Sequence, residues 1–136
     1  MNKVFVDTNI WLYGFIESQD QEKNVKAKNL ILNQELIVIS NQIIAEVSVN
    51  LLKKSNLVEK DLQQLILSFY DNYHVVSIQE AEYLKASALR EKFSLSFWDS
   101  FIIATALISD CTTLFTEDLS HLQVFEGKLT IKNPFI

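Results

Sequence analysis

Four carboxylates stand where the local sequence gives them something to do. Asp7 closes a short β-branched and aromatic run, Val4-Phe5-Val6, and Asp118 follows another, Leu114-Phe115-Thr116. Glu46 lies among Ile44, Ala45 and Val47, and Asp99 among Phe97, Trp98, Phe101 and Ile102. Taken singly, each has an ordinary reading: Asp7 and Asp99 as helix caps, Glu46 as a solvated helix residue, Asp118 as a turn acid. Apolar neighbours make full solvation of Glu46 and Asp99 less natural. Taken as a set, they are hard oxygen donors with no His or Cys beside them, which suits Mg²⁺ or Mn²⁺ rather than Zn²⁺. Like charges gathered on one rim repel, and raised pKa values or bound cations are the usual resolutions. A metal held by carboxylates can orient a phosphodiester, lower the pKa of a bound water and stabilise the leaving oxygen.

The elements that must position these acids alternate in type. Val4 to Val6, Leu36 to Ile39, His74 to Ile78, Thr112 to Thr116 and Thr130 to Lys132 read as five strands, short and apolar as in a parallel sheet covered on both faces. Helices are expected over Asn9 to Ile16, Gln21 to Leu32, Gln42 to Lys54 with Ser40-Asn41 as its cap, and Glu59 to Tyr73. Ser77 and Glu80 have capping-box spacing ahead of a helix ending near Phe93, and Ser96 and Asp99 repeat it ahead of one through Leu107. This alternation predicts an α/β fold with right-handed crossovers and a mostly parallel central sheet. In such sheets ligands bind beyond the carboxyl ends of the strands. Asp7 and Asp118 end strands there, and the helices carrying Glu46 and Asp99 begin there, so all four acids converge on one rim.

Composition bounds the alternatives. With 136 residues, 49% hydrophobic, two Gly and one Pro, the chain reads as a single domain over residues 1–136, long enough to bury a core. Cys111 is the sole cysteine and there are two histidines, so an internal disulfide and a Cys/His zinc cluster are excluded; Cys111 reads as a buried structural thiol. Met1 to Val6 shows no signal peptide, and the longest apolar stretch, Phe101 to Ile108, is too short to span a bilayer, so no membrane association and a cytoplasmic location are the expectation. The net charge of −5, with Arg90 the only arginine, runs against nucleic-acid binding unless acids hold cations that invert the local charge.

The stretch Val6-Asp7-Thr8-Asn9, the Glu46 helix, Ser96-Phe97-Trp98-Asp99-Ser100-Phe101-Ile102, Thr116-Glu117-Asp118-Leu119 and the ending Asn133-Pro134-Phe135 together resemble the PIN-domain nucleases, in particular VapC-type toxins of bacterial toxin–antitoxin pairs. The resemblance covers essentially the whole chain. It implies a three-layer α/β/α fold, Mg²⁺- or Mn²⁺-dependent endoribonuclease activity, a homodimer, and a cognate antitoxin that blocks the site and carries any DNA binding. By position, Asp7, Glu46, Asp99 and Asp118 become metal ligands or water-activating acids. Asn9 would hold the Asp7 loop by hydrogen bonding, and the Thr116 hydroxyl would support a ligand or orient a water. Glu117 is either a further ligand or turned to solvent, the latter favoured. Trp11, Tyr13 and Phe15 could stack on bases, although core packing suits most of them better, and His121 reads as a surface residue.

Two other enzyme classes start from similar elements. A phosphatase of the haloacid-dehalogenase type needs a second Asp two residues after the first, where this chain has Asn9. A dinucleotide-binding role needs a glycine-rich turn after the first strand, and none follows Val6. A catalytically silent interaction module with the same acids remains the non-enzymatic alternative. Metal chemistry reads the phosphate and not the base, so the acids alone select no particular RNA.

Overall fold

Apolar runs too short to make stable helices pair here into one sheet. The computed structural model describes residues 2–136; Met1, the first residue of the expected leaderless start, lies outside the described residues. The strands are β1 (Lys3–Val6), β2 (Leu36–Ser40), β3 (His74–Val76), β4 (Thr113–Phe115), β5 (Val124–Phe125) and β6 (Leu129–Lys132). The helices are α1 (Thr8–Phe15), α2 (Gln21–Leu32), α3 (Asn41–Lys54), α4 (Glu59–Asn72), α5 (Glu80–Phe93) and α6 (Phe97–Ile108). The sheet order is β3-β2-β1-β4-β6-β5, parallel throughout except for β5 on β6.

The chain first steps outward from β1 to β2 to β3, then returns past β1 to lay down β4. Right-handed crossovers in opposite directions put α1 to α4 on one face and α5 with α6 on the other, giving the expected three layers. The packing agrees: α1 lies against α2 and α3, α3 against α4, and α5 against α6. Both faces of the sheet are covered, so Val4, Phe5, Val6, Ile37, Val38, Ile39, Leu114 and Phe115 are all buried. In α6, the eight residues from Ser100 to Leu107 are buried. Its hydroxyls are satisfied inside the helix: Ser100 donates to the Ser96 carbonyl and Thr105 to the Phe101 carbonyl, both at 2.9 Å. Cys111 is buried as expected, and burial pushes its thiol up to about 12. No helix among the described residues is long and apolar enough to cross a membrane.

Three local expectations need correction. A sixth strand, β5, forms an antiparallel pair with β6. It is only two residues long, and its turn carries positive φ at Glu126 (53°) and Gly127 (62°), with the Lys128 N–H donating to the Phe125 carbonyl at 3.0 Å. Two successive positive φ values are the backbone of a type I′ turn, here inside a three-residue loop, but Glu replaces the Asn, Asp or Gly usual at the first central position, so the sequence signal is lost. The helix after β3 is capped at Gln79, whose N–H donates to the Glu82 carboxylate at 3.1 Å, instead of by Ser77 and Glu80. The third strand stops at Val76.

Helix α1 is locked to the end of β1 by Trp11. Its ring is 1% exposed, lies 5.2 Å from Phe69 in an edge-on pair, and its Nε1–H donates to the Val6 carbonyl at 3.0 Å. The base-stacking role is therefore closed to Trp11. Replacing it by Phe keeps most of the packing but leaves the Val6 carbonyl short of a donor; the expected loss in a urea unfolding experiment is about 1–3 kcal/mol.

Candidate active site

The strand order reverses between β1 and β4, and the crevice beyond the carboxyl ends at such a reversal is where open α/β sheets bind ligands. Asp7 follows β1 directly and Thr116 follows β4 directly. The register pairs Val6 with Phe115, and the ladder runs one bond further, from the Asp7 N–H to the Phe115 carbonyl at 3.0 Å. Asp7 and Thr116 are thereby set side by side. The Thr116 hydroxyl, fully buried, donates to Asp7 Oδ2 at 2.8 Å and accepts from the Asp118 N–H at 3.2 Å.

The three consecutive residues Asp7, Thr8 and Asn9 reach in three directions. Asp7 Oδ1 accepts from the Thr8 N–H at 2.7 Å and caps α1, so the capping reading and the site reading hold together. The Thr8 hydroxyl donates to Glu46 Oε1 at 3.2 Å. Asn9 Nδ2 donates to Asp118 Oδ2 at 3.0 Å, so Asn9 ties α1 across to the β4 loop instead of holding the Asp7 loop alone. Thr8 was missed in the sequence; its only signal is a hydroxyl directly after Asp7. Asp99 comes from the opposite helical layer. Its N–H donates to Ser96 Oγ at 3.0 Å, but among the described residues its carboxylate takes no hydrogen bond, so half of a capping box is present and the side chain is free.

The acids feel one another. Burial, with Asp7 7% exposed, pushes that carboxyl up to about 6 against the lowering effect of Thr116 and Thr8; the charges of Asp118 and Asp99 add to the rise. Burial also raises Glu46, helped by the charge of Asp7, and raises Asp118, helped by Asp99 and Glu117. Asp7 is thus the group through which the set is coupled: Asp118 and Asp99 act on it, and it acts on Glu46. The donors fit a hard divalent cation in kind, all of them oxygens, and Asn9 Oδ1 is a further buried oxygen without a hydrogen-bond partner. Among the described residues, however, no three His, Cys, Asp or Glu side chains are drawn close enough together to form a ready-made metal cage. Separate hydrogen bonds from Thr116, Thr8 and Asn9 hold Asp7, Glu46 and Asp118 individually along the edge.

Other sequence expectations sort differently. Glu117, partly exposed, pairs with Lys23 and accepts from the Tyr13 hydroxyl at 2.9 Å. Nothing in the sequence links these residues. His121 is exposed, and its Nδ1 accepts from the Asn133 N–H at 3.0 Å, which ties the loop after β4 to the C-terminal segment. Tyr13 packs edge-on against Phe135 at 5.2 Å, and Phe15 remains 42% exposed.

Set beside known proteins, residues 4–125 match the model of the PIN domain, and the chain belongs to the PIN-domain family. No curated protein matches it. Among solved structures, it is similar to a toxin–antitoxin complex from Klebsiella pneumoniae, with 22% identity, a TM-score of 0.72, and 96% of this chain and 97% of that chain covered. It is also similar to VapC20 of Mycobacterium tuberculosis, a toxin that cleaves the sarcin–ricin loop, with 17% identity, a TM-score of 0.68, and 85% and 91% covered. A third likeness is to VapBC2 from Rickettsia felis bound to a promoter DNA fragment, with 18% identity, a TM-score of 0.65, and 96% and 99% covered. At these identities the likeness establishes the shared fold.

The raised pKa of Asp7 has a stability consequence. A carboxyl whose folded pKa lies above its unfolded value binds more protons when folded, so its contribution is fully present below about pH 4 and is lost as pH rises through about 6. Asp7→Asn removes the buried charge and keeps a competent cap. Without divalent ions, the variant is expected to be more stable than the wild type at pH 7.5 by up to roughly 3 kcal/mol, the gain shrinking toward zero near pH 4. Denaturant melts in EDTA at the two pH values check this.

Proposed function

We propose that the chain is a Mg²⁺- or Mn²⁺-dependent endoribonuclease of the VapC toxin type. In this reading Asp7, Glu46, Asp99 and Asp118 hold the cation and act on the phosphodiester, while Asn9 and Thr116 support them. The observation that carries the reading is the convergence of four carboxylates from α3, α6 and the ends of β1 and β4 on one strand-order reversal, with the most buried of them destabilised as an anion. The family membership and the toxin–antitoxin neighbours support it.

The residues divide the work. Thr116 and the Thr8 N–H fix both oxygens of Asp7. Thr8 aims Glu46, and Asn9 aims Asp118. Asp99, unpaired, is free to turn toward a ligand. Bound here, a divalent ion would lower the pKa of a water and stabilise charge on the leaving oxygen. Asp118 is exposed and the rim is an open edge, which suits a polymer better than a small molecule. RNA as substrate and a cytoplasmic location belong to the same reading.

The same reading includes a homodimer and a cognate antitoxin. A mostly apolar groove of about 240 Å³ lined by Trp11, Gly14, Phe15, Lys28, Ile31, Leu32 and Tyr73 supports an antitoxin seated along α1 and α2. Operator DNA would then be bound by the antitoxin. A silent interaction module on the same scaffold is favoured by one observation, the lack of a preformed cage among the described residues.

RNA cleavage by the purified protein separates the two. The enzyme reading expects cuts with Mg²⁺ or Mn²⁺ that leave 5′-phosphate ends and stop in EDTA. Asp99→Asn, which disturbs no side-chain hydrogen bond, is expected to lower the rate by more than the ~10–100-fold typical of residues that merely support a ligand. Ends carrying a 2′,3′-cyclic phosphate contradict a water nucleophile, and a folded protein that cuts no RNA with either ion supports the silent module.

A further inference from the structure

We propose that Lys23 is a positioning residue for the Asp118 end of the carboxylate rim, acting through Glu117; the inference rests on the reading of that rim as a cation site. Past β4 the backbone bends at residues 117–119. Thr116 meets Asp7 and Asp118 meets Asn9, while Glu117 between them takes other partners, one turn further along α1. There it meets Lys23 Nζ in an ion pair and the Tyr13 hydroxyl at 2.9 Å.

Lys23 is itself held. Its N–H donates to Asp20 Oδ1 at 3.0 Å at the start of α2, and its ammonium lies 3.4 Å from the Tyr13 hydroxyl. The same ammonium sits 4.8 Å from the centre of the Tyr13 ring and 5.1 Å from that of Phe135. The other two ion pairs among the described residues differ in kind. Lys26 with Glu22 is a single helix turn, and Lys85 with Glu126 joins α5 to the β5–β6 turn. Only the Lys23 pair anchors a residue adjacent in sequence to a rim carboxylate.

The consequence is one of charge and of geometry. Without Lys23, Glu117 becomes a fifth uncompensated carboxylate next to Asp118, free to swing and to repel it. With Lys23, that charge is countered by the ammonium and its side chain is held against Tyr13, and Asp118 stays where Asn9 meets it. Lys23 and Tyr13 thereby withhold Glu117 from the rim, which explains how an acid between two site residues stays out of the site.

The test is Mn²⁺ affinity by titration calorimetry at pH 7.5, a measurement independent of cleavage, on the wild type, Lys23→Met, Lys23→Arg, Glu117→Gln and the Lys23→Met/Glu117→Gln double variant. Lys23→Met is expected to weaken Mn²⁺ binding by about tenfold or more. Lys23→Arg is expected to restore most of the affinity. The double variant should bind more tightly than Lys23→Met alone, because the charge needing compensation is gone. Melting temperatures should change little, as partly exposed ion pairs contribute little to stability. Wild-type affinity in Lys23→Met overturns the inference and leaves the cation site standing. So does a folded Lys23→Arg as weak as Lys23→Met. A large loss confined to Glu117→Gln also overturns it, by making Glu117 a ligand. A wild type that binds no Mn²⁺ overturns the inference together with the reading beneath it.

Discussion

One contact organises the functional edge of this protein: the buried Thr116 hydroxyl donating to the buried carboxylate of Asp7. It exists because β1 and β4 are paired in a register that sets their first post-strand residues side by side, and because the chain reverses its strand order there. Everything else at the edge is arranged around it. The Asp118 N–H binds the same hydroxyl, and the residues after Asp7 reach outward to Glu46 and Asp118. Four acids widely separated in sequence are placed by one strand pair, one tripeptide and the start of α6.

The placement is costly to the fold, and the cost is concentrated on Asp7. A carboxylate this buried, within range of two or three more, is held in its charged form against desolvation and repulsion. Hydrogen bonds from Thr116 and Thr8 offset part of that penalty. A hard divalent cation is the partner that oxygen donors of this kind select, and it would relieve such an anion. The arrangement is therefore a local violation of stability that has meaning only in terms of function.

Much of this was legible in the sequence for physical reasons. Strands β1, β2 and β4 are buried on both faces and read as continuous apolar runs; Ser40 and Ser96 cap helices where their side chains were expected to. Because a parallel sheet collects strand ends and helix starts on one edge, the convergence of Asp7, Glu46, Asp99 and Asp118 could be drawn from element order alone. The partners of those acids could not. Thr8 to Glu46, Asn9 to Asp118 and Lys23 to Glu117 span 38, 109 and 94 residues, and such contacts depend on register and side-chain direction that no local pattern encodes. Strand β5 escaped because two residues carry no periodicity. The ion pair of Glu117 with Lys23 was not legible because it joins the loop after β4 to the start of α2.

The central claim is that Asp7 is an anion made unfavourable by its surroundings and relieved by a cation. The most direct test is the titration of the Asp7 carboxyl carbon by NMR, first in EDTA and then in saturating Mg²⁺. The account predicts a midpoint near 6 without the ion, falling below the ordinary 3.8 when the ion is added. A midpoint at the ordinary value in EDTA, or one that Mg²⁺ leaves unmoved, would contradict it.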